Sequence, residues 1–292
     1  MADAGAQFAE GFVRNPLTTT VASVMVHVDF DDHSDRRIRI AAELASRFDA
    51  VLIGVAGWVP GRERGGWFAD ELERDDERLD RILVELDRLA ERFRAVAHRT
   101  VHKMEWRGSF HFPREVIAAE ARAADLVVIG SHAVAEDAYH AFDPGMVLLS
   151  AGRPVLVIPD GLGEDHPGER VLIAWKDTRE ARHAVQSALP YLKAATHITL
   201  VEVAEDILEP AAKQHLDDVE KYLLRHDIAV DTKSVLRLHG AIANQLLDEA
   251  KKQAADLIVA GAYGHTRLGE WVFGGATRGL LRNSDICCLL CN

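Results

Sequence analysis

Cysteine is nearly absent from this sequence, and the three present, Cys287, Cys288 and Cys291, crowd into its last six positions. An odd number in one terminal cluster cannot form a disulfide framework, and it suits a reducing cytoplasm. Cys288 and Cys291 have C-x-x-C spacing but no second pair beside them, so they read as packed thiols of a final strand rather than a zinc or redox site. Long apolar runs are missing too: none approaches the roughly 20 residues that a membrane span needs. The opening stretch carries Asp3 and Glu10 and no basic n-region, which makes it a poor secretory signal and favours an N-terminal arm over residues 1–20. Basic residues are outnumbered, 34 against 46 acids, for a net charge of −12. That balance disfavours binding to a nucleic acid, which selects a basic face. No Walker lysine motif occurs, and no nucleophile, base and acid stand in an order that suggests a catalytic triad.

What the sequence does contain is a duplication. Ala124-Asp125-Leu126-Val127-Val128-Ile129-Gly130 is echoed by Ala255-Asp256-Leu257-Ile258-Val259-Ala260-Gly261. Each copy follows an amphipathic segment and precedes a loop and a last apolar strand, Pro154 to Ile158 and Ile286 to Cys291. Two copies, each longer than 100 residues, mean duplicated domains rather than a solenoid. Within each copy, apolar runs alternate with helical periodicity, which predicts parallel sheets covered on both faces. Strands are expected at Val21 to Val28, Ala50 to Val59, Thr100 to Trp106, Arg170 to Trp175, His197 to Val203 and Ile228 to Leu236. Helices are expected at Ser34 to Phe48, Asp70 to Val96, Thr178 to Leu192 and Glu209 to His226, with Leu72, Leu79, Leu83, Leu86 and Leu89 on the inner face of the second. The Gly-, Asp- and Pro-rich stretch Asp160 to Pro167 is the linker, dividing domain 1 (21–165) from domain 2 (166–292).

Ligands of such sheets sit beyond the carboxyl ends of the strands, where connections diverge. There, domain 2 places Gly261-Ala262-Tyr263-Gly264, then nine residues, then Gly274-Gly275-Ala276-Thr277. Glycines let a backbone approach phosphates, and a helix opening near Gly274 adds free N–H groups and a positive dipole end. His265 supplies a further donor. Glycine also marks ordinary turns, so the pattern alone leaves a purely structural loop open.

A strand followed by G-x2-G-x9-G, a short helix and a terminal strand resembles the ATP-binding signature of the universal stress protein family. The resemblance runs from about Val21 to Asn292 as two successive domains. It implies two tandem five-stranded parallel Rossmann-like (HUP-type) α/β domains and a cytoplasmic stress-response protein. It also implies an adenine nucleotide, ATP, held by domain 2, with no metal except magnesium brought by the nucleotide. Carried over by position, Gly261, Gly264 and Gly274 are the loop glycines, with His265, Thr277 and Val203 beside them as ligand contacts. Two positions depart from the pattern: Gly275 stands where the family has Ser or Thr, and Lys176 where it has an acid after the first strand. Domain 1 has the acid, Asp29, but its loop reads Gly130-Ser131-His132-Ala133 and then Asp143-Pro144, a lost phosphate cradle. Asp29 then reads as a helix-capping or turn residue.

The two final strands are expected to pair antiparallel within the chain, forming a pseudo-dimer with the loop sites apart and the cysteines at the seam. Whether two chains associate further stays open. The competing functions are a carrier or sensor of another small, lipid-like ligand, and an enzyme of the wider adenine-nucleotide α-hydrolase group, for which no catalytic motif is present. ATP turnover beyond a weak level is not expected.

Overall fold

A computed structural model describes residues 21–59, 75–131, 143–161, 167–205, 210–263 and 275–292. The first half runs β1 (Ser23–His27), α1 (Ser34–Arg47), β2 (Val51–Gly57), α2 (Asp75–Ala97), β3 (Met104–Ser109), α3 (Pro113–Glu120), β4 (Leu126–Gly130), α4 (Pro144–Ser150) and β5 (Val155–Ile158). The second half repeats the series as β6 (Arg170–Trp175), α5 (Arg179–Leu192), β7 (His197–Ala204), α6 (Pro210–Leu224), β8 (Asp231–Leu236), α7 (Ile242–Lys252), β9 (Leu257–Gly261), α8 (Gly275–Asn283) and β10 (Cys287–Cys291). The central strands are apolar without alternation because helices cover both faces: β4, β5 and β10 are buried at every position.

The repeated Ala-Asp-Leu element has one role in both copies. Asp125 Oδ2 accepts from the Ala22 and Ser23 amides and the Ser23 hydroxyl at 2.8–3.0 Å, tying the start of β4 to that of β1. Asp256 does the same in the second half, accepting from the amides of Gly168, Glu169 and Arg170 at 2.7–3.2 Å beside β6. A carboxylate thus satisfies amides that no neighbouring strand reaches.

Among the described residues the ten strands form one sheet, ordered β3-β2-β1-β4-β5-β10-β9-β6-β7-β8. Its two halves are two-fold copies, parallel throughout except at the centre. There β5 meets β10 antiparallel, with Val157 opposite Cys288, Leu156 opposite Leu289 and Val155 opposite Leu290. The expected intramolecular strand pair is therefore the seam. All three thiols are buried in it, and burial raises the pKa of each, that of Cys288 and Cys291 to about 12. Cys288 joins one core layer and Cys291 the other, because an offset of three in a strand reverses the face. Helices α1, α2, α5 and α6 cover the first layer; α3, α4, α7 and α8 cover the second. The halves also touch through Phe48 and Tyr191, edge to face at 5.2 Å.

Three expectations are corrected. The inner stripe of α2 is Ile82, Leu86, Leu89 and Phe93, while Leu79 and Leu83 are about half exposed. One residue step turns the helix by about 100°, so Leu83 cannot share a face with Ile82; Leu72 lies outside the described residues. β3 begins at Met104 rather than Thr100, because the Thr100 and Val101 amides still bond to the Ala97 carbonyl of the helix end. β8 likewise begins at Asp231 rather than Ile228, whose amide closes the end of α6 on Leu223 O.

Candidate functional site

In the second half, β6 lies between β9 and β7. α5 leaves β6 on one face of the sheet, and α8 follows β9 on the other. The crevice between the ends of β6 and β9 is thus a topological switch point, where open α/β sheets place ligands. Four of the candidate residues are brought to it. Register pairs Ala174 with Ala260, so Lys176 just past β6 and Gly261 ending β9 stand at one sheet edge. Val203 follows on the adjacent β7, half-buried against the second core layer. Gly275 opens α8, and a Cβ built on it would meet nothing within 4 Å among the described residues. Gly264, His265 and Gly274 lie outside the described residues.

Two candidates have local roles that the sequence pattern does not show. A Cβ on Gly261 would stand 2.5 Å from the Ala181 amide nitrogen and 2.6 Å from the Glu180 carbonyl carbon. This glycine lets the end of β9 touch the first turn of α5. Thr277 is buried, and its hydroxyl accepts from the Tyr263 amide at 3.4 Å. It ties the strand end to α8 where Tyr263 takes a left-handed φ of 61°, a conformation that costs a non-glycine residue free energy. The Tyr263 phenol is pushed up to about 12 by burial and by the charge of Asp143 from the first half. Together with the packing of α4 on α8, this brings the roots of the two loops close to each other rather than apart.

The first half is closed at the equivalent places. Asp143 caps α4, its Oδ1 accepting from the Gly145 amide at 2.8 Å, and Pro144 supplies no N–H at the first helical position. A carboxylate of the protein's own thus occupies the helix start. Asp29, which also makes a turn with the Asp31 amide, does not cap α1: the cap position is His33. Instead Asp29 Oδ1 accepts from Arg37 at 2.7 Å, and Arg37, only 2% exposed, also donates to the His27 carbonyl at 3.2 Å. Buried Arg37 thus engages the acid that follows β1. The loop Pro60 to Gly66 and Trp67 lie outside the described residues; Trp58 packs edge to face on Phe30 at 5.5 Å.

This cluster carries a pH dependence. Burial lowers the His27 pKa from 6.5 to about 4, with Asp29 raising it and Arg37 lowering it. Between those values the unfolded chain takes up a proton at His27 and the folded chain does not, so stability falls as pH drops through that window. Asp29 adds to this further down: burial is the largest influence and raises its pKa, but Arg37, His27 and the Asp31 amide together lower it below 3.8, so its contribution is lost only as pH falls below that value. Urea unfolding should show a loss on the order of 2 kcal/mol between about pH 7 and about pH 4.5. His27→Gln should show a clearly smaller loss over the same interval; an equal loss would remove His27 as its source.

Among the described residues, no group of three or more His, Cys, Asp or Glu side chains converges as metal ligands. His98 and His102 have H-x3-H spacing, but His98 places Nδ1 2.8 Å from the Ala95 carbonyl at the end of α2. No described helix is long and apolar enough to cross a membrane.

One continuous sheet, two-fold in its strand order and closed by its own final strands, defines a tandem Rossmann-like α/β protein. The sequence profile of the Universal stress protein family matches residues 21–140 and again 168–292, and the chain belongs to that family. In structure it is similar along 94% of its length to a universal stress protein from Archaeoglobus fulgidus DSM 4304, with 97% of that chain covered, 16% identity and a TM-score of 0.67. It is also similar to a putative universal stress protein from Pseudomonas aeruginosa UCBPP-PA14, with 93% of each chain covered, 14% identity and a TM-score of 0.54. None of the curated proteins matches the chain.

Proposed function

We propose that this universal stress protein binds an adenine nucleotide, ATP or a close analogue, at the switch point of its second domain. It would act in the cytoplasm as a nucleotide-dependent sensor or regulator in the stress response. The observation that supports this most is the asymmetry between the two halves. The first blocks its helix start with Asp143 and its strand end with Arg37. The second starts its helix with Gly275, clear of neighbours among the described residues, and has Lys176, Val203 and Gly261 around the same crevice. Lys176 in place of an acid suits the phosphates better than the ribose hydroxyls. Magnesium would come only with the nucleotide, and the inferred partner is the small molecule rather than a nucleic acid.

Calorimetry of the full chain with ATP should give one site per chain. Gly274→Asp, which gives domain 2 the acid that domain 1 carries at Asp143, should weaken binding at least tenfold without changing the melting temperature. Two equal sites, or no effect of the substitution, would sink the assignment. Phosphate release should stay below about 0.1 per second, under the ordinary range of enzyme turnover.

A further inference from the structure

On the sheet face opposite α8, a cavity of about 470 Å³ opens between α5 and α6. That is the size of a site for a small organic molecule. Its apolar walls are Trp175, from the end of β6, Val185 of α5, and Val219 and Tyr222 of α6. Trp175 is 7% exposed, and its indole N–H is buried with no acceptor among the described residues.

The polar part of the wall is acidic. Asp177 and Asp218 line the cavity with a single guanidinium, Arg182, which lies 2.5 Å from Asp177. Lys221 approaches Asp218 only to 3.9 Å, and the Asp218 side chain is 65% exposed. His215, also in the wall, stands 3.9 Å from both Asp177 and Glu202, which is a third carboxylate behind the lining. Such a mouth repels phosphates and carboxylates and attracts a cation. This separates the cavity from the nucleotide site by charge as well as by sheet face.

We propose that the cavity binds a small aromatic amine. Its flat body lies against Trp175, Val185, Val219 and Tyr222, and its protonated amine meets Asp218 at the mouth. The inference stands on the first layer of the sheet and does not depend on ATP binding.

The test titrates the full chain with two probes of one shape, tyramine and 4-hydroxyphenylacetate, followed by calorimetry. Both carry a phenol oxygen; one bears an ammonium and the other a carboxylate. Tyramine should bind at least tenfold more tightly, with saturating ATP leaving its affinity unchanged. Asp218→Asn, an exposed substitution, should shrink the preference to less than threefold. Val219→Trp should fill the cavity and abolish binding. Equal affinity for the two probes, a preference for the anion, or no saturation by millimolar tyramine would overturn the proposal. So would a preference that survives Asp218→Asn, which stays decisive should Val219→Trp fail to fold.

Discussion

Gly261→Ala is expected to destabilise the protein by about 3 kcal/mol, toward the upper end of what over-packing costs. The added methyl would stand 2.5 Å from a backbone nitrogen and 2.6 Å from a backbone carbon in the first turn of α5. Backbone cannot rotate away as a flexible side chain can, so β9 and α5 must part. Urea unfolding read by tryptophan fluorescence and circular dichroism would measure it. The substitution also distinguishes two meanings of this glycine. Were it present only to admit phosphates, Gly261→Ala would lose ATP binding at native stability. The geometry requires stability to fall whether or not nucleotide is added, and a melting temperature within a degree of the parent would refute it.

A larger effect is expected at the seam. Leu156 is 1% exposed and faces Leu289 where the two halves join. Leu156→Asp would bury a carboxylate with no cation given to meet it, and the expected cost exceeds about 4 kcal/mol. Because the damage lies on the strand pair that unites the halves, the thiols should report it. Cys287, Cys288 and Cys291 are buried and hard to ionise in the parent, so a thiol reagent should react slowly. In the variant their reaction should quicken at least tenfold, before any loss of helical signal as urea is raised. Thiols that stay as slow as in the parent, with the halves still joined, would show that the seam tolerates the charge.

The order of elements and the strand pair at the centre could be read in advance because they depend on patterns carried by single segments. Val155 to Ile158 and Cys287 to Cys291 are uninterrupted apolar strands, and such strands are found inside a sheet. The duplicated Ala-Asp-Leu motif announced two copies of one unit. The reason for its aspartate, bonds to amides more than 80 residues away, was not legible. The same holds at the candidate site. Gly261 fits a phosphate-binding spacing, yet its close neighbour is Ala181, which only the fold brings near. Thr277 read as a ligand contact, and its hydroxyl accepts from the Tyr263 amide. Asp29 read as a cap or turn residue: it does make the turn, but its strongest partner is a buried arginine on the following helix. Arg37, Trp175 and the α5–α6 cavity drew no notice, since an arginine or a tryptophan in a helical or strand pattern does not declare what surrounds it. The nearest available signal for Arg37 was a basic residue in the first turn of the helix after a strand-ending acid.

The antiparallel meeting of β5 and β10 also decides where the sheet can grow. β5 and β10 are each paired on both edges, so neither is free to pair with a strand of another chain. The edges left over are β3 and β8, and neither invites a newcomer. β3 carries Glu105 and Arg107, paired to each other at 2.8 Å, and β8 carries exposed Asp231 and Lys233. Charged, short borders of this kind discourage edge-to-edge stacking. Among the described residues, fusing the two copies has thus put the apolar strands at the centre of the sheet and left charged ones at its borders, which disfavours lengthening it into a filament by adding more of itself.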